Sequence, residues 1–132
     1  GSLLAHACNV YEVEKDQRYQ RMRVQSAKAK GRRLQQWVRT KLIEMLEVHP
    51  EDVESRSMGA GGEDIIMARA ARQKFPFSVE CKNTERLNVW DAYDQACANC
   101  GDYEPILFIK KNGRKPLVVL DAESFIRAQR DG

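Results

Sequence analysis

No apolar run in this sequence is longer than four residues, and LVVL at 117–120 is one of them. A bilayer-spanning helix needs roughly 20, so no membrane span is expected. No basic segment followed by an apolar stretch opens the chain, and secretion is not expected either. A cytoplasmic location follows from that pair of absences. The leading Gly1-Ser2 reads as a cloning scar and stays out of the fold reasoning. Histidine is nearly missing: His6 and His49 stand without evident partners, and His49 before Pro50 reads as a helix-end residue. The cysteines are Cys8, Cys81, Cys97 and Cys100, expected as reduced thiols in the cytosol. Cys97 and Cys100 make a lone CxxC. A structural zinc site wants a second pair at suitable spacing. A redox CxxC wants a helix start, whereas this one lies near the end of a helical pattern. Core cysteines are the expectation, with a CxxC metal or redox protein as a distant third class.

What is present fits a folded protein. With 132 residues, 42% hydrophobic and 31% charged, the chain suits a single α/β domain with a real core. Residues 1–26 read as a basic N-terminal tail or short helix, and 27–132 as the domain. Net charge is only +3, but it is unevenly placed. Of 22 Lys and Arg and 19 Asp and Glu, the stretch from Lys15 to Lys41 takes ten and one, leaving twelve and eighteen elsewhere. A basic arm on a mildly acidic body suggests a polyanionic partner; a solvated helix face is the plainer alternative.

Leu34, Trp37, Val38, Leu42 and Met45 recur at helical spacing and form one apolar stripe. Pro50 bounds that helix. DVESRS, EDIIM and FSVECK read as three strands, the first two separated by the glycine-rich turn MGAGG and the last two by a loop, ARAARQK. Along FSVECK, Phe77, Val79 and Cys81 face one way and Ser78, Glu80 and Lys82 the other. NVWDAYDQACANCG is helical, with Trp90, Tyr93, Cys97 and Cys100 on one face, read as core. PILFIK and PLVVL flank Asn112-Gly113, a hairpin signal. DAESFIRAQR closes the chain as a helix capped by Asp121. The expected order is α-βββ-α-ββ-α.

The chemistry-bearing residues cluster in GGEDIIM…FSVECKN. If the second and third strands are neighbours, Asp64 and Glu80 share a face. Two close carboxylates repel, and a hard divalent cation compensates them. Lys82, on the same face as Glu80, can orient a water or stabilise charge growing on a phosphate. The alternative is a salt-bridged, solvated sheet face.

These residues resemble the signature of the PD-(D/E)XK nucleases, with Asp64 as the aspartate and Glu80-Cys81-Lys82 as the ExK triplet. ESRSMGAGGEDII and KGRRLQQWV resemble Holliday-junction resolvase-like members of phage or prophage type. The resemblance covers roughly Ala27 to Leu120. It implies a restriction-endonuclease-like core, a mixed β-sheet flanked by helices, and a Mg²⁺-dependent endonuclease in which Mn²⁺ substitutes. It implies that Asp64 and Glu80 hold metal, that the Cys81 backbone carbonyl adds a ligand, and that Lys82 assists the attacking water. Ser57 matches a serine near the scissile phosphate, and Gln95 a glutamine on the helix after the triplet. Such members carry a metal-binding glutamate on the first helix, where this chain has Gln35, a neutral donor. DNA, branched or plain, would be held by Lys28, Lys30, Arg32, Arg33, Arg39 and Arg56. A homodimer in a bacterial or phage-infected cell is implied as well. The competing reading is a nuclease-fold DNA-binding module with weakened turnover.

Overall fold

The computed structural model describes residues 2–56 and 61–132, with side chains from Glu12 onward. The first helix, α1, is a single 45-residue element, Ser2–Leu46. At 1.5 Å per residue it is about 68 Å long. The basic segment ahead of Ala27 is therefore helical and continuous with the helix that follows. No proline interrupts it before Pro50. Only the second half packs on the body: Leu34, Val38 and Leu42 are buried, four residues apart on one stripe. Trp37 and Met45, placed on that stripe by spacing, are exposed instead. Glu47, with φ 54°, reverses the chain after α1, and Lys74 Nζ donates to its carbonyl at 2.9 Å. A short 3-10 turn, Pro50–Asp52, leads into the sheet.

Two strand ladders follow. β1 (Val53–Ser55) pairs antiparallel with β2 (Ile65–Met67). β3 (Phe77–Asn83) pairs parallel with β4 (Glu104–Lys110), and β4 antiparallel with β5 (Leu117–Val119). A parallel pair needs a crossover, which α3 (Val89–Ala98) supplies. The β4–β5 turn carries Gly113 at φ 73°, a left-handed position suited to glycine. The segment between β2 and β3, expected as a loop, is a short helix, α2 (Arg69–Lys74). The final helix, α4 (Ala122–Asp131), is capped by Asp121, whose Oδ1 accepts the Ser124 amide at 2.9 Å.

The chain is thus mixed α/β. β2 and β3 do not form a regular ladder with each other. Their link is Asp64, whose N–H donates to the Val79 carbonyl at 2.8 Å. α1 covers one face of the sheet, in a core with Val53, Ile65, Met67, Val79, Cys81 and Ile106. α3 covers the face that carries Glu80, through the buried small residues Ala92 and Ala96. Small side chains let a helix lie close to the strands, and they turn the larger ones outward. Trp90 is accordingly 82% exposed and Cys97 exposed, so neither is core, contrary to the reading from spacing. Cys81 is buried. Among the described residues no helix is long and apolar enough to cross a membrane.

Candidate active site

The alternation along β3 places Ser78, Glu80 and Lys82 on the α3 face. Residues on such a face would be solvated in an open sheet, but here Ser78 is 2% and Glu80 4% exposed. The solvated-face alternative therefore does not hold for Glu80. Lys82 stays partly accessible, with Nζ 3.6 Å from Glu80 Oε1. That is an ion pair at long range, not a tight hydrogen bond.

Asp64 is brought to this strand by the glycine turn before it. Gly62 sits at φ 91°, and a Cβ there would lie 3.4 Å from the Arg56 guanidinium. The glycine serves both the backbone conformation and the close approach of that side chain. Arg56 Nε donates to the Glu63 carbonyl at 2.6 Å, and its backbone N–H to the Asp64 carbonyl at 2.8 Å. With the chain so held, the Asp64 N–H takes the Val79 carbonyl, and Asp64 Oδ2 accepts the Cys81 amide at 2.6 Å. The carboxylate thus stands where the next residue of a neighbouring strand would be. It meets the backbone of the residue between Glu80 and Lys82.

Burial pushes both carboxyls above their ordinary range. For Asp64 desolvation outweighs the Cys81 N–H and the Lys82 and Arg56 charges, which pull the other way. For Glu80 desolvation is joined by the negative charge of Asp64, against Lys82 and a hydrogen bond from Asn99. The Cys81 thiol is likewise pushed up by burial and by the two acids beside it. Two acids share a low-dielectric pocket with one lysine in ion-pair range. The site is short of positive charge.

That imbalance fits a divalent cation. The free oxygen of Asp64 and the weakly held oxygens of Glu80 are hard donors of the type Mg²⁺ prefers, and Mg²⁺ completes its shell with water. The N–H and C=O of one strand residue point to the same side, so the Cys81 carbonyl faces the edge where Asp64 sits. Gln35 fits less well. It is 3% exposed on α1, and its Oε1 accepts the Ser55 hydroxyl at 2.6 Å. Among the described residues no cluster of three or more His, Cys, Asp or Glu is arranged around a metal position. The protein donor set is two carboxylates and a carbonyl.

The other expected residues scatter more widely. Ser57 lies outside the described residues. Gln95 is exposed on α3, one turn before Asn99. It is Asn99 whose Nδ2 reaches Glu80 Oε2, at 3.5 Å. Asn99 was missed from sequence, although its spacing of four from Gln95 puts both on one helix face. Arg39 is a strut, donating from Nε to Val53 O and from Nη2 to Pro50 O, each at 2.8 Å. Lys30 pairs with Glu85 at 3.2 Å, and its carbonyl accepts Asn83 Nδ2 at 2.8 Å, which sets this part of α1 against the Lys82 end of β3. Lys28, Arg32 and Arg33 are exposed. Lys28 and Arg32 fall on the same helix face as Gln35. Arg33 lies with Trp37 and Lys41 on an open outer groove of α1.

Comparison with family models, curated protein sequences and solved structures gives no match for this chain.

Proposed function

We propose that the protein is a metal-dependent endonuclease that hydrolyses DNA phosphodiester bonds on a restriction-endonuclease-like core. One observation carries this reading: the Asp64 carboxylate is docked on the Cys81 amide, between buried Glu80 and accessible Lys82. An exposed salt-bridged sheet face would need none of those three features.

Asp64, Glu80 and the Cys81 carbonyl would hold Mg²⁺ or Mn²⁺. The bound cation would supply Lewis acidity at a phosphate oxygen and a more acidic water. Lys82 keeps its ammonium beside Glu80 and open to solvent, placed to orient a water and to stabilise charge on the phosphate. Asn99 holds Glu80 Oε2 and fixes the carboxylate plane. Lys28 and Arg32, on the Gln35 face of α1, would contact the DNA backbone; such contacts bind without reading sequence and weaken with salt. A branched substrate and a pair of sites in a dimer are the finer parts of the proposal.

Gln35 supports a second reading. A neutral side chain whose oxygen is already hydrogen-bonded brings no charge to a metal site. A DNA-binding module with weakened turnover would look the same at that position.

The test incubates the full chain with labelled four-way junction, flap and linear duplex in Mg²⁺, Mn²⁺ or EDTA, beside Glu80→Ala and Lys82→Ala. Metal-dependent cutting lost in both variants supports the nuclease, and the preferred substrate names its class. Tight binding without cutting in either metal gives the binding module. Absence of binding removes both readings.

A further inference from the structure

Residues 12–28 of α1 reach beyond the body, and each of them is exposed. The row that packs on the body, Leu34, Val38 and Leu42, does not stop at its edge. It continues toward the N-terminus through Gly31, Ala27, Val24, Gln20, Gln17 and Val13, in alternating steps of three and four. That is the seam of a two-helix coil, and on this arm it has nothing to pack against: Val13 and Val24 are both exposed. Tyr19 and Met22 lie on the opposite face with Lys15 and Arg18.

We propose that this row is the interface between two copies of the chain, paired antiparallel about a two-fold axis between residues 18 and 19. Charge and layer complementarity select that partner and that direction. In this register Val13 meets the partner's Val24, and Gln17 meets the partner's Gln20. Apolar residues face apolar ones and amides face amides. The charged positions beside the seam then match as well. Glu14 lies beside the partner's Arg21, and Asp16 beside the partner's Arg23. The two-fold repeats both contacts, so all four are attractive. Among the described residues Glu14, Asp16, Arg21 and Arg23 make no ion pair within their own chain. A parallel coil would instead set Arg23 against the partner's Lys28. The glutamine layers at the centre fix the register at some cost in stability, as polar seam residues do. The opposite face stays free for a polyanion.

The experiment is sedimentation velocity on the full chain, with Arg21→Glu/Arg23→Glu and with the four-fold swap Glu14→Arg/Asp16→Arg/Arg21→Glu/Arg23→Glu. A dimer is expected for the native sequence. The charge reversal should weaken association about tenfold or more, through repulsion at sites each worth a fraction of a kcal/mol when attractive, and the swap should restore it. In a background with Cys8, Cys97 and Cys100 changed to Ser, Val13→Cys/Val24→Cys should form a disulfide-linked dimer and Val24→Cys alone should not. A chain that stays monomeric at concentrations on the order of 100 µM overturns the proposal. A reversal variant that remains dimeric overturns it too, as does ready self-linking of Val24→Cys alone. Loss of duplex binding in the reversal variant without change in mass would assign the arm to nucleic acid instead.

Discussion

Glu63 and Asp64 are adjacent in sequence and end in opposite electrostatic situations. Glu63 turns toward α2 and forms a direct ion pair with Arg72. That guanidinium also lies 4.0 Å from the centroid of the Tyr103 ring and donates to the Phe77 carbonyl at 3.4 Å. Both side chains are largely buried, at 14% and 12% exposure, and the charges cancel on the spot. Asp64 turns toward β3 and joins Glu80, so two acids share one partly solvated lysine. One neighbour completes a structural contact and the other leaves charge uncompensated. A fold has no use for the second arrangement unless something else is to bind there.

The largest effect should come from breaking the completed pair. Arg72→Met leaves Glu63 buried with no counter-charge, and removing one partner of a buried pair costs about 3–5 kcal/mol. Urea denaturation should show that loss, and Glu63→Gln/Arg72→Met should recover much of it. A single-variant loss below about 1 kcal/mol, the range of a surface pair, would erase the contrast between the two acids.

Next in size is the response to metal. The native chain should be stabilised by Mg²⁺ or Mn²⁺ and returned to baseline by EDTA, with about 1.4 kcal/mol gained at a tenfold excess over Kd. Glu80→Gln should lose the response, while Glu63→Gln, which retains Asp64 and Glu80, should keep it at its lower baseline. Equal responses in the two variants would mean that the cation sits elsewhere.

Without metal, Glu80→Gln should be more stable than the native chain at pH 7, by about 1 kcal/mol, since it removes a desolvated charge next to another of like sign. The sign reverses the usual pattern for carboxylates. A carboxyl raised on folding binds more protons in the native state than in the unfolded chain. Stability from Asp64 and Glu80 is therefore fully present below their ordinary values, 3.8 and 4.5, and is lost as pH rises through their elevated ones. Thermal melts across that range should show the gap between variant and native opening as pH rises. A gap that is constant with pH would exclude a charge origin.

Much of this was legible in the sequence because strand alternation and glycine turns are local. Glu80 and Lys82 on one face, the Asn112-Gly113 turn and the Asp121 cap all follow from spacings of two to four residues. The reading failed where burial depends on what lies opposite. Trp90 looked like core because it is large and helically spaced, yet α3 approaches the sheet on Ala92 and Ala96 and turns the indole outward. Arg72 looked like surface charge in a loop because its partner, nine residues away, is chosen by the turn of α2. Asn99 went unnoticed since an asparagine after a helix reads as a cap, and its backbone N–H does cap, donating to the Gln95 carbonyl at 3.2 Å. Only the parallel crossover from β3 through α3 shows that its side chain points back at Glu80.

That contact yields the smallest effect. At 3.5 Å the Asn99–Glu80 hydrogen bond is long, and a bond of that length contributes less than the usual ~1 kcal/mol. It nevertheless favours the charged carboxylate, so Asn99→Ala should raise the Glu80 carboxyl further. Apo stability at pH 7 should then change little, by about 0.5 kcal/mol or less. Any metal-dependent cutting should shift its acid limb to higher pH, because Glu80 must lose its proton before it can hold a cation. Asn99→Asp should move the limb further in the same direction, by placing a third negative group on the pocket. A purely structural Asn99 would lower stability and leave the limb where it was. A limb that moves at near-constant stability ties the residue to the carboxylate pair and keeps the two neighbouring acids, Glu63 and Asp64, on their separate assignments.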